Sequence, residues 1–431
     1  MNAIVIGMNI GLLLLCCTLP AAASDHTLGI FGNANEDNII NMEDVTYTVQ
    51  VVMEYKNVTK LADAKYDGEI NVLDVTQTEL IIFGMEKNLT YLDIFGKAET
   101  VNKPIERLVN LGWNGIDTTR ALGARDILVC ACGDFRSKLS LSYPVISKLP
   151  DVVSSDPAKC DIEMILSLKP DAVQTNLEAI WASGEAGQEQ KRLFKEKLPD
   201  MPLISLNMRE PDTLPENIRA YGYIIDREDE AYEFVDWFKG YFDLIESRTM
   251  KLSEEELQRV YFEYRRYQTK GSGDRYSHWY MVGGGRNIAD DIVGPDSPLY
   301  SSVIDVDPEW VAVQNPDYIF IHASSQLPAT ERGYETDDTS TVAALREELM
   351  NRPELANVNA VKNGRVFVVD ENLLGGAGQT LMGTAYAAKL MHPDLFTDID
   401  PQAIHQEYVD RFCYIDFNVS NHGVFVYPEL S

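Results

Sequence analysis

The segment Glu163-Met164-Ile165-Leu166-Ser167-Leu168-Lys169-Pro170-Asp171 decides the reading of this chain. A helix from Cys160 to Leu168 stops ahead of Lys169-Pro170, and Asp171-Ala172-Val173 opens a short strand. Upstream, Leu108-Val109-Asn110-Leu111 is a first buried strand, Ala121-Leu122-Gly123-Ala124 ends the helix after it, and Ile127-Leu128-Val129-Cys130 is a second strand. Strand-helix alternation of this kind predicts a parallel α/β sheet. Downstream, Pro215 to about Thr249 reads as one long helix with an apolar face of Ile218, Tyr221, Ile225, Phe234, Val235, Phe238, Phe242 and Ile245. A second α/β unit follows, through Val260-Tyr261-Phe262, Tyr318-Ile319-Phe320-Ile321 and Arg365-Val366-Phe367-Val368-Val369. The expected fold is α/β: two Rossmann-like lobes, about 102–212 and 251–431, joined by a backbone helix at about 213–250. A rigid connection makes a cleft whose opening changes little.

The 431 residues are 45% apolar and 24% charged, which excludes wholesale disorder. Lys and Arg number 37 against 67 Asp and Glu, a net charge of −30. A field of that sign repels phosphate backbones and argues against a nucleic-acid partner. Residues 1–23 read as an export signal, with an uncharged apolar run from Met8 to Leu19 and Ala21-Ala22-Ala23 as cleavage site. The run is too short for a spanning helix. Cys16 follows Leu13-Leu14-Leu15 and is a poor lipid acceptor. The mature chain is expected outside the cytoplasm, extracellular, on the cell surface or on the periplasmic side of the membrane. Cys130, Cys132, Cys160 and Cys413 then remain, too few for a disulfide scaffold. They read as buried small hydrophobes, with one disulfide or a Cys130–Cys132 metal chelate as alternatives. Asn57-Val58-Thr59, Asn88-Leu89-Thr90 and Asn418-Val419-Ser420 are glycosylation sequons in an exported chain.

Ahead of the lobes lies an internal repeat. Asn33-x-Asn35-x-Asp37-Asn38-x-Ile40-Asn41-x-x-Asp44 returns as Asp63-x-Lys65-x-Asp67-Gly68-x-Ile70-Asn71-x-x-Asp74. Oxygen-bearing side chains at loop positions 1, 3, 5, 9 and 12 suit a hard cation such as Ca²⁺. A turn former at position 6 and an apolar residue at position 8 fix the loop's path. The pair, placed in a module over residues 24–92, resembles the type I dockerin. That resemblance implies two Ca²⁺ loops, each with a following helix, and a cohesin-like partner that attaches the carrier to a surface or assembly. Asn38 stands where the family has glycine, a substitution expected to work because Asn also visits the left-handed region. Lys65 puts a cation at a ligand position, so the second site should be weaker or empty.

Residues 163–171 resemble the leading-glutamate "LKPD" segment of the helical-backbone (class III) substrate-binding proteins of ABC transporters. Further segments match in order: Lys103-Pro104-Ile105-Glu106-Arg107, Tyr143-Pro144, Gly283-Gly284-Gly285-x-Asn287-Ile288-Ala289, Glu309-Trp310-Val311 through Asn315-Pro316-Asp317, Ala360 to Val366, and His392-Pro393-Asp394. The resemblance spans about residues 102–412. It implies a non-enzymatic receptor that carries a metal chelate of the ferric siderophore, haem or cobalamin (corrinoid) class to an ABC permease. It further implies that Glu163 and Glu309, one in each lobe, meet permease arginines.

The ligand is then expected between the lobes. Trp113 and Trp181 follow strands of the first lobe, and Arg265, Arg266, Tyr267 and Trp279 belong to aromatic and basic runs of the second. Arginine forks bind anionic oxygens, and aromatic faces cover planar or hydrophobic chelates. His278 and His322 are candidate metal ligands, though lone histidines are more often packing residues. Two other readings stand beside this one: a chelatase-like enzyme on the related two-lobed fold, and a scaffold protein dominated by the dockerin-like module. No nucleophile elbow, HExxH or spaced acid–base pair supports the enzyme.

Overall fold

The computed structural model describes residues 27–430 apart from 133–138, 153, 155, 157, 176–183 and 377. The export signal and Trp181 lie outside the described residues.

The acidic repeat folds as two loop-helix units. Asn41 caps α1 (Met42–Val52) and Asn71 caps α2 (Val72–Ile82), each closed into a capping box by the aspartate three residues on. Asp44 and Asp74 also reach back to the backbone N–H of Asn35 and Lys65, at 3.1 and 3.0 Å. The backbone repeats as well: Glu36 and Tyr66, both at loop position 4, are left-handed at φ 59° and 55°. Asn38 does not take up the left-handed conformation expected of it, whereas Gly68 does, at φ 89°.

An antiparallel hairpin of β1 (Asn88–Leu92) and β2 (Ala98–Asn102) follows and crosses the expected module boundary at residue 92. It joins the module to the first lobe. Tyr91 Oη donates to Leu203 O at 3.1 Å and Ile94 N to Ser205 O at 2.8 Å. Ile40, Ile81 and Tyr91 share one hydrophobic core with Leu108, Ile204 and Ile218. The module is therefore packed on the body.

The first lobe contains β3 (Leu108–Asn110), α3 (Trp113–Ala121), β4 (Leu128–Ala131), α4 (Ile162–Ser167), β5 (Ala172–Gln174), α5 (Gly184–Lys197) and β6 (Leu203–Ile204). Its strands form a parallel sheet in the order β4-β3-β5-β6. Cys130, Cys132 and Cys160 share a buried cluster here. Burial pushes the Cys130 and Cys132 thiols up to about 12 and Cys160 to about 11. They are inert packing residues.

The connection between the lobes is two helices rather than the one the apolar pattern suggests. α6 (Leu214–Ile224) and α7 (Glu228–Thr249) meet at Asp226, which is left-handed at φ 57°. Glu228, Asp229 and Glu230 then fill the first turn of α7, where acids favour a helix start.

The second lobe contains β7 (Gln258–Glu263), β8 (Gln268–Lys270), α8 (Arg275–Val282), β9 (Gly285–Asn287), β10 (Val303–Asp305), α9 (Pro308–Gln314), β11 (Tyr318–His322), α10 (Ser340–Met350), α11 (Asn359–Lys362) and β12 (Val366–Val369). Its main sheet runs β13-β12-β11-β7-β9, parallel except for β13 (Val426–Tyr427). Before β13, α12 (Gly378–Met391) and α13 (Pro401–Tyr408) return toward the linking helices and first lobe. Tyr408 stacks on Trp237 at 5.7 Å and donates to Asp117 Oδ2 at 2.6 Å. The C-terminal segment, expected with the second lobe, thus bridges both. Among the described residues no helix is long and apolar enough to cross a membrane.

Candidate ligand cleft

In an open α/β sheet, loops diverge where the strand order reverses, and ligands bind outside the carboxyl ends at that point. In the first lobe this is β3, flanked by β4 and β5; in the second it is β7, flanked by β9 and β11.

At the first point, Asn110 Nδ2 donates to Gln174 Oε1 at 2.7 Å across the ends of β3 and β5, and Asn110 Oδ1 accepts from Gly112 N at 3.0 Å. Gly115 lies so close that a Cβ there would come within 2.4 Å of Gln174 Nε2. Trp113 starts α3, half-buried, its ring edge-on to Tyr143 at 5.6 Å. It lies just beyond the end of the central strand.

At the second point the strand ends assemble a cluster that sequence reasoning only partly anticipated. Glu371, just after β12, lies 2.8 Å from His322 Nε2, 3.1 Å from Arg275 and 3.0 Å from Tyr276 Oη. Burial raises its carboxyl, but Arg275 and His322 beside it prevail and hold it at about 2. Arg275 lies 3.9 Å over the Tyr276 ring, and Tyr264 stacks on His322 at 5.3 Å. Lys270 sits 4.6 Å over Tyr264 and pairs with Asp274 at 2.9 Å. Ser325 Oγ donates to Tyr264 O, while His322 Nδ1 is 2.9 Å from that Oγ. Both His322 nitrogens are thus engaged within the cluster, Nδ1 by Ser325 Oγ and Nε2 by the Glu371 carboxylate.

The other expected residues divide. Arg265 is exposed beside Tyr264, its guanidinium 5.4 Å from the ring, with no carboxylate at ion-pair distance among the described residues. Arg266 is drawn instead to Glu348 at 2.5 Å, and Tyr267 donates to Glu354. The cause is the tight β7–β8 turn, where Tyr267 is left-handed at φ 53°. Trp279 is a core residue: it is 1% exposed, packs on Phe320 at 4.9 Å and donates to Tyr276 O. Replacing Arg265 by alanine is expected to weaken an anionic ligand about tenfold or more, and Arg266→Ala less than about threefold. Equilibrium titration of the two variants checks this; equal losses would remove the distinction.

The lobes also touch directly. Asn114 Oδ1 accepts from Gly376 N at 3.0 Å, Glu335 accepts from Leu141 N and Ser142 N, and His278 Nδ1 is 3.5 Å from Glu210. His278 is thus a cross-lobe contact.

Glu163 and Glu309 occupy matching places. Each is exposed in the first turn of a short helix, α4 or α9, behind a capping aspartate, Asp161 or Asp307. Each helix ends in a left-handed residue before Pro-Asp, Lys169 at φ 48° and Asn315 at φ 47°. Asp171 then accepts from Arg107 N at 2.8 Å, as Asp317 does from Arg259 N at 3.3 Å. The two arginines bind the helix ends in turn, Arg107 at Leu168 O and Arg259 at Gln314 O. The lobes repeat this Arg–Asp–helix lock, and it fixes both glutamates.

In the N-terminal module, Asn33, Asn35, Asp37, Asn41 and Asp44 line the first loop, and Asp63, Asp67, Asn71 and Asp74 the second. Asn33 is fully buried. Its Nδ2 donates to Leu28 O at 2.8 Å and to Asp37 O at 2.6 Å, and its Oδ1 has no hydrogen-bond partner among the described residues. An orphaned buried oxygen in an oxygen-lined loop fits a cation ligand. In the second loop Asp63 accepts from Asp67 N and Gly68 N, at 3.1 and 2.9 Å, and Lys65 lies 4.0 Å from Asp67.

Residues 108–373 match the Periplasmic binding protein family, and the chain belongs to it, with the two-lobed TroA-like fold. It is a substrate-binding protein of an ABC transporter, a class that works on the extracytoplasmic side with a membrane permease. It is 23% identical over 317 residues to the Bacillus subtilis ABC transporter substrate-binding lipoprotein YvrC, covering 72% of this chain and 87% of that one. Among solved structures it is similar to the TroA-like FepB of Veillonella parvula, at TM-score 0.63 and 20% identity over 78% of this chain and 98% of that one. Molybdate-bound MolA of Haemophilus influenzae gives 0.61 and 18%, over 76% and 98%. The nickel-histidine complex of Helicobacter pylori CeuE gives 0.56 and 17%, over 77% and 97%.

Proposed function

We propose that this protein captures a metal chelate of the ferric siderophore, haem or corrinoid class and delivers it to the permease of an ABC importer. The observation that carries the reading is the cation-aromatic cluster at the second switch point. Tyr264 and Tyr276 gather Lys270 and Arg275 over their rings, and Asp274 and Glu371 hold the two cations there. Such a cluster receives a preformed chelate through its ligand shell, with Arg265 at the rim meeting anionic oxygens. The relatives named for molybdate and nickel-histidine share the fold, so side chains select the cargo. The test is mass spectrometry and visible absorption of protein from its native source, followed by tryptophan-quenching titrations with a ferric hydroxamate, haemin and cobalamin. Saturable binding of one of them supports the reading; binding of molybdate alone would overturn it.

Glu163 and Glu309 are assigned to permease docking. Two carboxylates at a fixed separation set register even where each pair alone contributes little. Glu163→Ala and Glu309→Ala are expected to leave ligand affinity unchanged and to cut uptake about fivefold or more each. Loss of binding by the soluble variant would count against the assignment.

The acidic repeat is assigned to Ca²⁺ through its first loop, on the strength of the Asn33 oxygen, with the second weaker or empty because of Lys65. The exposed apolar residues Met42, Val49, Val72 and Leu73 on α1 and α2 are assigned to a cohesin-like partner.

A further inference from the structure

The two acidic loops differ in what they touch. Both make side-chain hydrogen bonds within themselves, Asn35 to Asp37 in the first and Asp63 to Asp67 N and Gly68 N in the second, where Lys65 also places an ammonium 4.0 Å from Asp67. The first lies against the helices that connect the lobes. Tyr232 Oη, on α7, donates to Asn38 O at 3.3 Å, and Ile40 N donates to Tyr223 Oη, on α6, at 3.4 Å. The two hydroxyls are themselves 3.4 Å apart, and Ile40 is buried in the common core. Asn38 and Ile40 are loop positions 6 and 8, between the oxygen-bearing positions 5 and 9. Tyr223 and Tyr232 stand on either side of Asp226, the joint between the linking helices. Lys103 clamps that joint, donating to Tyr223 O and pairing with Asp226 at 2.6 Å.

We infer that the first loop alone is the cation site and that Tyr223 and Tyr232 are its positioning residues. Cation binding and the seating of the module on the linking helices are then one equilibrium. This rests on the Ca²⁺ reading of the repeat. A cation that draws Asn33, Asn35, Asp37, Asn41 and Asp44 together fixes the backbone of positions 6 and 8 against the two hydroxyls. By linkage, whatever the tyrosines contribute to cation affinity the cation returns to the packing of the helices. The coupling is local, one loop on one helix joint, and needs no pathway through the lobes.

The tryptophans provide a selective readout, because Trp113, Trp181, Trp237, Trp279 and Trp310 all lie outside the module. Thermal unfolding of the full chain followed by tryptophan emission, with about 1 mM Ca²⁺ or a chelator, is paired with calorimetric Ca²⁺ titration. The wild type is expected to bind one Ca²⁺ and to gain about 3 °C or more in the tryptophan-reported midpoint. The Tyr223→Phe/Tyr232→Phe variant, which keeps both rings, is expected to bind about fivefold more weakly and to lose at least half of the gain. Asn33→Ala should abolish binding, and Asp63→Ala should leave it unchanged. If Ca²⁺ binds but moves the midpoint equally in wild type and the double phenylalanine variant, the coupling is wrong and the Ca²⁺ reading stands. If Asp63→Ala abolishes binding and Asn33→Ala does not, the wrong loop has been assigned. If the wild type binds no Ca²⁺, both fall.

Discussion

Replacing Glu371 by alanine is expected to lower stability by about 3–5 kcal/mol, the range for removing one member of a buried ion pair. The carboxylate faces Arg275 on one side and His322 on the other, with Tyr276 Oη on its second oxygen. Its loss leaves a mostly buried guanidinium over the Tyr276 ring and a histidine with one partner fewer. Ligand affinity should fall together with stability, because the same carboxylate holds Arg275 in place. Glu371→Gln keeps a hydrogen-bond acceptor and should lose less. The effect has a defined pH window. Glu371 is held at about 2, below its ordinary 4.5, so its contribution is present above pH 4.5 and is lost as pH falls toward 2. That displacement corresponds to about 3 kcal/mol. Urea unfolding of wild type and Glu371→Gln at several pH values should show a gap that closes between pH about 5 and about 2. A gap of less than about 1 kcal/mol at neutral pH would show that the cluster does not hold the lobe.

The sequence made the lobes legible because their signals are local. Each strand is a short apolar run, and the segment from Glu163 to Asp171 carries helix, turn and strand start within nine residues. The matched positions of Glu163 and Glu309 followed from the same local pattern. What anchors those glutamates was not legible: Arg107 and Arg259 act on helix ends that are distant in sequence, at Leu168 and Gln314. Glu371, at the centre of the cleft cluster, is not legible for the same reason, since it meets His322 and Arg275 only once the chain has folded. In sequence, Tyr276-Ser277-His278-Trp279-Tyr280 is a string of aromatics with no sign of which face each takes. On α8 its helical period turns Trp279 and Tyr280 into the core, leaving Tyr276 at Glu371 and His278 at Glu210. Arg266 and Tyr267 misled because a left-handed turn residue, invisible in composition, carries them toward α10 and Glu354. The break at Asp226 did leave a trace, an acidic first turn inside an otherwise continuous apolar period.

The second large effect is expected at Lys103, where the module, the first lobe and the linking helices converge. Its ammonium lies 2.6 Å from Glu86 and 2.6 Å from Asp226 and donates to Tyr223 O. Burial works to lower its pKa, but the Glu86 and Asp226 carboxylates raise it, so the lysine stays charged. Lys103→Met keeps the volume and removes the charge, leaving the buried Glu86 without its cation. The expected loss is about 3–5 kcal/mol in denaturant unfolding. Asp226 is 38% exposed along its side chain and can rehydrate, so the penalty falls on Glu86. Adding Glu86→Leu to Lys103→Met should therefore recover most of it, because replacing both buried partners by apolar groups is close to neutral. If Lys103→Met loses less than about 1 kcal/mol, or if the double variant is no better than the single, the network is not what seats the module on the body.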